Sequence, residues 1–160
     1  MEHFIYNGET FMEYTEAVDI VSELFRINQW ASNEYGEKYA ILDNDIEIRV
    51  FQSARDKMVI QGMFGEPIQS LSAANANEIR FRYLLQANFI RIVQYDDVLS
   101  VDKNTNRLTT TRHISLLETS TGKVLDAVES FIQNVDFWDM ALKRKQSFAI
   151  MSPLLRFAIK

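Results

Sequence analysis

The stretch Tyr39-Ala40-Ile41-Leu42-Asp43-Asn44-Asp45-Ile46-Glu47-Ile48-Arg49-Val50 decides the fold. Tyr39 and Ile41, then Ile46, Ile48 and Val50, recur at a period of two, the spacing of a half-buried strand. Between them lies only the Asp43-Asn44-Asp45 group, whose short side chains satisfy a tight turn. A hairpin is therefore predicted, followed after the polar Gln52–Asp56 connection by a third strand at Lys57–Phe64. Gly65 and Pro67 end that run.

Working outward, the period changes to that of a helix on both sides. Upstream, Phe11, Tyr14, Val18, Val21 and Phe25 repeat at 3-4-3-4 and share one helical face. Thr10 and Glu13 have the spacing of a capping box, and Asn33 with Gly36 closes the segment after Trp30. Downstream, a second helix fits Ala74–Phe89, with Ile79, Tyr83, Ala87 and Ile90 in one stripe. Val98–Asp102 and Arg107–Leu116 make a further strand pair around Lys103-Asn104-Thr105-Asn106. A third helix carries Val124, Val128, Phe131, Val135 and Trp138. The order is helix, three antiparallel strands, helix, two to three strands, helix. Segregated hairpins of this kind predict an α+β sandwich over a doubly wound parallel sheet.

At 160 residues the chain fits one domain. Residues 10–142 are assigned to it, with an N-terminal arm at 1–9 and a basic C-terminal extension at 143–160. The net charge of −5 is unevenly placed, because Lys143, Arg144, Lys145, Arg156 and Lys160 face no acid within the last segment. The body is left with 12 basic against 22 acidic residues. Such a body is a poor general partner for nucleic acid, which selects clustered Lys and Arg. With no cysteine, disulfides, thiolate catalysis and cysteine–zinc sites are excluded. No run approaches the length of a membrane span. The opening MEHFIYNGETFMEY lacks an apolar core behind basic residues, so a cytoplasmic location is expected.

Chemistry-bearing patterns are few. His113 lies in a predicted strand among Thr109, Thr110 and Thr111, and no orienting carboxylate is evident for it. Asp102-Lys-Asn104-Thr-Asn106 copies the start of a calcium loop but has Arg107 and His113 where that loop needs Gly and Glu. Gly62 and Gly65 form no phosphate-cradling motif. Asp96 and Asp97 are read as solvating the connection before Val98. No enzyme is expected, and no metal or cofactor. What the chain has instead is apolar surplus. Its strands and helices carry more apolar faces than one small body easily covers, with Met12, Met58 and Met63 as adaptable side chains.

Several segments together resemble one family. They are Asp43–Val50, Lys57–Pro67, Leu84-Leu85-Gln86-Ala87-Asn88-Phe89, Leu99-Ser100-Val101-Asp102 with Arg107-Leu108, and the helix that ends near Trp138. In order and spacing they resemble the class I type III secretion chaperones of Gram-negative bacteria, the Tir-chaperone family. Asn106 stands where that family usually has Gly, which is mild because Asn tolerates left-handed backbone. The extension at 143–160 departs further, and Leu155, Phe157 and Ile159 alternate there like an edge strand.

The resemblance implies a cytoplasmic homodimer. It would bind the disordered N-terminal segment of a secreted effector without ATP and keep that segment export-competent, with the secretion-apparatus ATPase as a candidate further partner. It implies effector contact at Val21, Phe25, Ile46, Ile48, Val50, Met58 and Ile60, and a dimer interface at Phe81, Leu85, Phe89, Leu99 and Val101. For each of these the residues themselves equally allow a place in the monomer core. Two other readings stay open: a YbjN-like regulatory or adaptor protein of the same fold, and a small α+β enzyme using His113.

Overall fold

The strands read from the sequence form, but they join into one sheet with more members. A computed structural model describes residues 4–6, 9–42, 45–65, 84, 86–89, 91, 96–117 and 119–143. Along the chain lie β1 (Phe4–Tyr6), β2 (Glu9–Phe11), α1 (Tyr14–Phe25), β3 (Ala31–Ser32), β4 (Lys38–Ile41), β5 (Glu47–Ala54), β6 (Lys57–Phe64), β7 (Val98–Val101), β8 (Leu108–Ser115) and α2 (Thr121–Lys143). Residues 84, 86–89 and 91 are helical. Most of the helix expected at Ala74–Phe89, and all of 144–160, fall outside the described residues.

Among the described residues, six strands form an antiparallel sheet in the order β3-β4-β5-β6-β8-β7. The decisive hairpin pairs as predicted, with Tyr39 opposite Arg49 and Ile41 opposite Glu47. Register then fixes the two faces. Ile48, Gly62, Thr110 and Leu99 form one cross-strand row, and Val50, Ile60 and Arg112 the next. Both rows face the helices, since cross-strand partners share a face. Val50 and Ile60 are wholly buried there, under Val18 and Val21 of α1 and Val128, Phe131 and Val135 of α2. Strand β6 is buried on its other face too, at Val59 and Met63, which explains its nearly unbroken apolar run.

Gly62 sets how close the second helix can come. A Cβ built on it would lie 2.9 Å from Val135 Cγ2, closer than real Cβ contacts. Only a residue without a side chain lets α2 settle on β6 at this row.

Three boundary expectations are corrected. Thr10 belongs to β2, where Phe4 pairs with Phe11, so the capping box does not form. The helix starts three residues later, with Glu13 at its N-cap and no side-chain cap bond, after Met12 donates its N–H to the Leu116 carbonyl at 2.9 Å. At the other end α1 stops at Phe25, well before Trp30. Arg26 adopts φ 56°, and its N–H and that of Ile27 close on the Glu23 and Ser22 carbonyls, a left-handed closure usually given to Gly. Asn33 and Gly36 instead make the β3–β4 turn. Asn33 Oδ1 accepts from the Tyr35 and Glu37 amides at 3.0 Å each, and Gly36 supplies φ 79°.

Candidate functional site

The residues expected to touch an effector lie mostly in the interior. Val21, Ile48, Val50, Met58 and Ile60 are buried because they occupy the helix-facing rows of β5 and β6 or the inner face of α1, and Ile46, just before β5, is buried with them. All six lie in the core of the single chain, the place that the residues themselves equally allowed. A partner can reach them only if the two layers part. Phe25 is half-buried at the layer's margin, its ring edge-on to Phe131 with centroids 6.5 Å apart.

The residues expected at a dimer interface divide differently. Phe81 and Leu85 lie outside the described residues. Phe89 is 76% exposed and Val101 43%, while Leu99 on the inner row is half-buried against the core. Val98 is also exposed, on the opposite face of β7 from Leu99 and Val101. Tyr35, in the β3–β4 turn, and Ile41, at the other end of β4, are also exposed, near the opposite end of the sheet order.

The interior holds a polar network that the sequence reading missed. Asp97 is 1% exposed and grips Arg112 by both oxygens, Nε to Oδ1 and Nη2 to Oδ2, the latter at 2.8 Å. Arg112 also donates to the Ala127 carbonyl and to Ser130 Oγ on α2. Asn134 donates to Asp97 Oδ2 at 2.7 Å and to Thr110 Oγ1, and accepts from Arg91. The Arg91 guanidinium stacks over the Phe137 ring at 3.8 Å. Burial pushes the Asp97 carboxyl up, against the downward pull of Arg112, Asn134 and Arg91. Asp97 is thus no solvating residue but the anchor that ties the entry of β7 to β8 and α2. Its signal was legible in part: Leu108, Thr110, Arg112 and Ile114 alternate onto one face, so an arginine there demands a buried acid.

Arg107 forms a second fastening at the end of the sheet. Its guanidinium donates to the backbone carbonyls of Gly65 (3.1 Å), Asp45 (3.0 Å) and Met63 (3.3 Å), and meets Glu47 at 3.5 Å. The β7–β8 turn behind it is held by Asp102, whose Oδ1 accepts from the Asn104 and Thr105 amides and the Thr105 hydroxyl at 3.1, 2.8 and 2.8 Å. Slight burial raises the Asp102 pKa, but these bonds outweigh it and hold the carboxyl below its ordinary value. Asn106 takes φ 54°, the left-handed geometry that its position requires. Asp102 Oδ1 is therefore spent within the turn.

His113 projects from β8 into solvent, opposite Val59. Among the described residues no cluster of His, Asp and Glu is arranged to hold a metal, and no helix is long and apolar enough to cross a membrane.

Comparison with solved structures defines the class. The fold is similar to that in the HopA1–SchA chaperone–effector complex, at 15% identity and TM-score 0.54, covering 79% of this chain and 93% of that one. It is similar also to that in the ExsC–ExsE complex, at 16% identity and TM-score 0.58, covering 84% and 100%. The fold is therefore shared with a protein of a chaperone–effector complex. Residues 25–139 match the model of the Tir chaperone protein (CesT) family, and the chain belongs to that family. No curated protein matches it in sequence.

Proposed function

We propose that this protein is an ATP-independent type III secretion chaperone that binds the N-terminal segment of a secreted effector and keeps it competent for export. The family match across residues 25–139 carries the reading. The likeness to a chaperone caught with its effector supports it through the fold. Physically, an antiparallel sheet with exposed apolar side chains suits an extended client: main-chain bonds give affinity and side-chain pockets give selectivity. Ordering such a client costs about 2–5 kcal/mol, offset by burying on the order of 1,000–3,000 Å².

The protein acts as a homodimer in the bacterial cytoplasm, with Phe89, Leu99 and Val101, joined by Phe81 and Leu85, as the self-contact. Effector contact is at Phe25 and the exposed margins around it, and the secretion ATPase is a further partner. The acidic body favours basic client segments at long range. Co-expression with candidate secreted proteins tests this. A stable complex that shields an effector's N-terminal segment from protease is expected, and the absence of any client among secreted proteins sinks the proposal.

A further inference from the structure

Helix α2 crosses the sheet in a definite direction. Ala127 and Ser130 accept from Arg112, in the row of Lys38 and Val50. Further on, Asn134 donates to Thr110 and Val135 lies over Gly62, in the row of Ala40 and Ile48. The helix therefore heads toward the end of the sheet at which β4 stops, at Ile41. The eight residues from Asp136 to Lys143 add about 12 Å, so the chain leaves α2 beyond that end. Strand β4 is open there. Leu42 donates its N–H to the Ile46 carbonyl at 2.8 Å, so Leu42, Ala40 and Lys38 turn their backbone groups toward β5. Tyr39 and Ile41 turn theirs to the other side, by the alternation of an antiparallel ladder. Strand β3 meets that side only at Lys38 and Tyr39. Ile41 lies past it, with its side chain 68% exposed, and such an edge accepts an extended peptide.

The chain carries a segment with the chemistry to fill this edge. After Pro153, Leu155, Phe157 and Ile159 alternate with Arg156, Ala158 and Lys160, so an extended backbone puts the three apolar residues on one side. The twelve positions from Lys143 to Leu155 span up to about 40 Å, and six strands are only about 24 Å across. Either edge of the sheet is within reach, and charge selects between them. From Asn33 to Glu47, β4 and its two turns carry five acids, Glu34, Glu37, Asp43, Asp45 and Glu47, against Lys38 alone, a net −4. Around β7, Asp96 to Arg107 holds three acids and two bases, a net −1. The segment from Lys143 to Lys160 has five bases and no acid. We infer that residues 154–160 pair with β4 at Ile41 within the same chain, so that the protein closes its own open edge. The occupant is the chain itself, so this seat exists whether or not effectors bind. If effectors add as strands, one entering here must first displace it.

The chain has no cysteine, so defined pairs can be placed in the full-length protein. Ile41→Cys with Phe157→Cys tests the seat, and Ser53→Cys with Phe157→Cys is the control. Ser53 is exposed on β5, toward the opposite end of the sheet, and the tether is long enough for both. Under mild oxidation the Ile41 pair should close within one chain about tenfold faster than the Ser53 pair. Equal rates mean that the segment has no seat at β4, and a product joining two chains puts a second copy's segment there; either overturns the inference. The second readout uses no cysteine. Leu155→Ser, Phe157→Ser and Ile159→Ser together should speed amide exchange at Ile41 about tenfold and leave Ile60 in β6 unchanged. Unchanged exchange at Ile41 also overturns the inference. Should Ile60 quicken equally, Arg156→Glu with Lys160→Glu decides. It spares the apolar side chains and must slow the Ile41 cross-link toward the control rate, and an unaltered rate again overturns the inference. No effector is added, so a failure to find one bears on the proposed function and leaves this result standing.

Discussion

Arg112 holds both carboxylate oxygens of Asp97 inside the protein, between β8 and α2, and Asn134 completes the carboxylate's bonds. The pair joins the lead-in of β7 to the layer that packs the core. Two groups desolvated together are tolerable, whereas one left alone is not. Asp97→Ala or Arg112→Ala should each cost about 3–5 kcal/mol, read as a lower urea midpoint. Asp97→Leu with Arg112→Met should cost much less than the sum of the single changes. Additive losses in that cycle exclude the coupling.

The row Ile48–Gly62–Thr110 makes a separate prediction. Because a Cβ on Gly62 would press on Val135 Cγ2, Gly62→Ala must push α2 outward or twist β6. Overpacking of this kind costs about 1–3 kcal/mol. Val135→Ala placed behind it should return part of that loss, although alone it is destabilising. Thermal unfolding of the four proteins checks the sign of the interaction.

The β7–β8 turn titrates. Hydrogen bonds in the folded state hold Asp102 below its ordinary pKa. A depressed acid contributes stability that is present above its unfolded pKa of about 3.9 and lost as pH falls through the folded value. The difference in stability between wild type and Asp102→Ala should therefore be flat at neutral pH and shrink in acid, below about pH 4. A difference that persists unchanged at low pH contradicts this linkage.

Arg107 should resist conservative replacement. Its fork reaches three carbonyls on two separate turns, a geometry that a lysine ammonium cannot reproduce. Arg107→Lys should retain less than half of the stability that Arg107→Ala removes, about 1–2 kcal/mol in total. Denaturant midpoints decide it.

Much of this architecture was legible because alternation and helical periodicity are local signals. Tyr39–Val50, Lys57–Phe64 and the stripe from Val124 to Trp138 reach the strands and helix that they predict. What escaped was set by partners far along the chain. Phe11 continues the helical period of α1 but pairs with Phe4, so tertiary context overrides its spacing. Met12 is fixed by the Leu116 carbonyl. Asp97 looked like a solvent residue because its partner stands fifteen positions away on a strand whose inward face was not yet known. Burial likewise separates the candidate contact residues. The same alternation that identifies Ile48 and Val50 as strand residues is silent on whether their face meets a helix or a client.

Self-association offers the last test, since exposure and stability pull apart there. Phe89 and Val101 are largely outside the fold's interior, so replacing them with Ser removes little packing and should change monomer stability by about 0.5 kcal/mol or less. If they form the self-contact, each loses its burial only in the assembled state. Solution mass should then fall to that of one chain, 18.6 kDa, at concentrations where wild type is double. Truncating Val50 on the inner row should do the opposite. Val50→Ala should lower the unfolding midpoint by a core-sized amount, about 1–3 kcal/mol, and leave the mass of whatever remains folded unchanged. Sedimentation equilibrium beside urea unfolding separates the two effects, and a Phe89→Ser, Val101→Ser protein with the wild-type mass removes these residues from the interface.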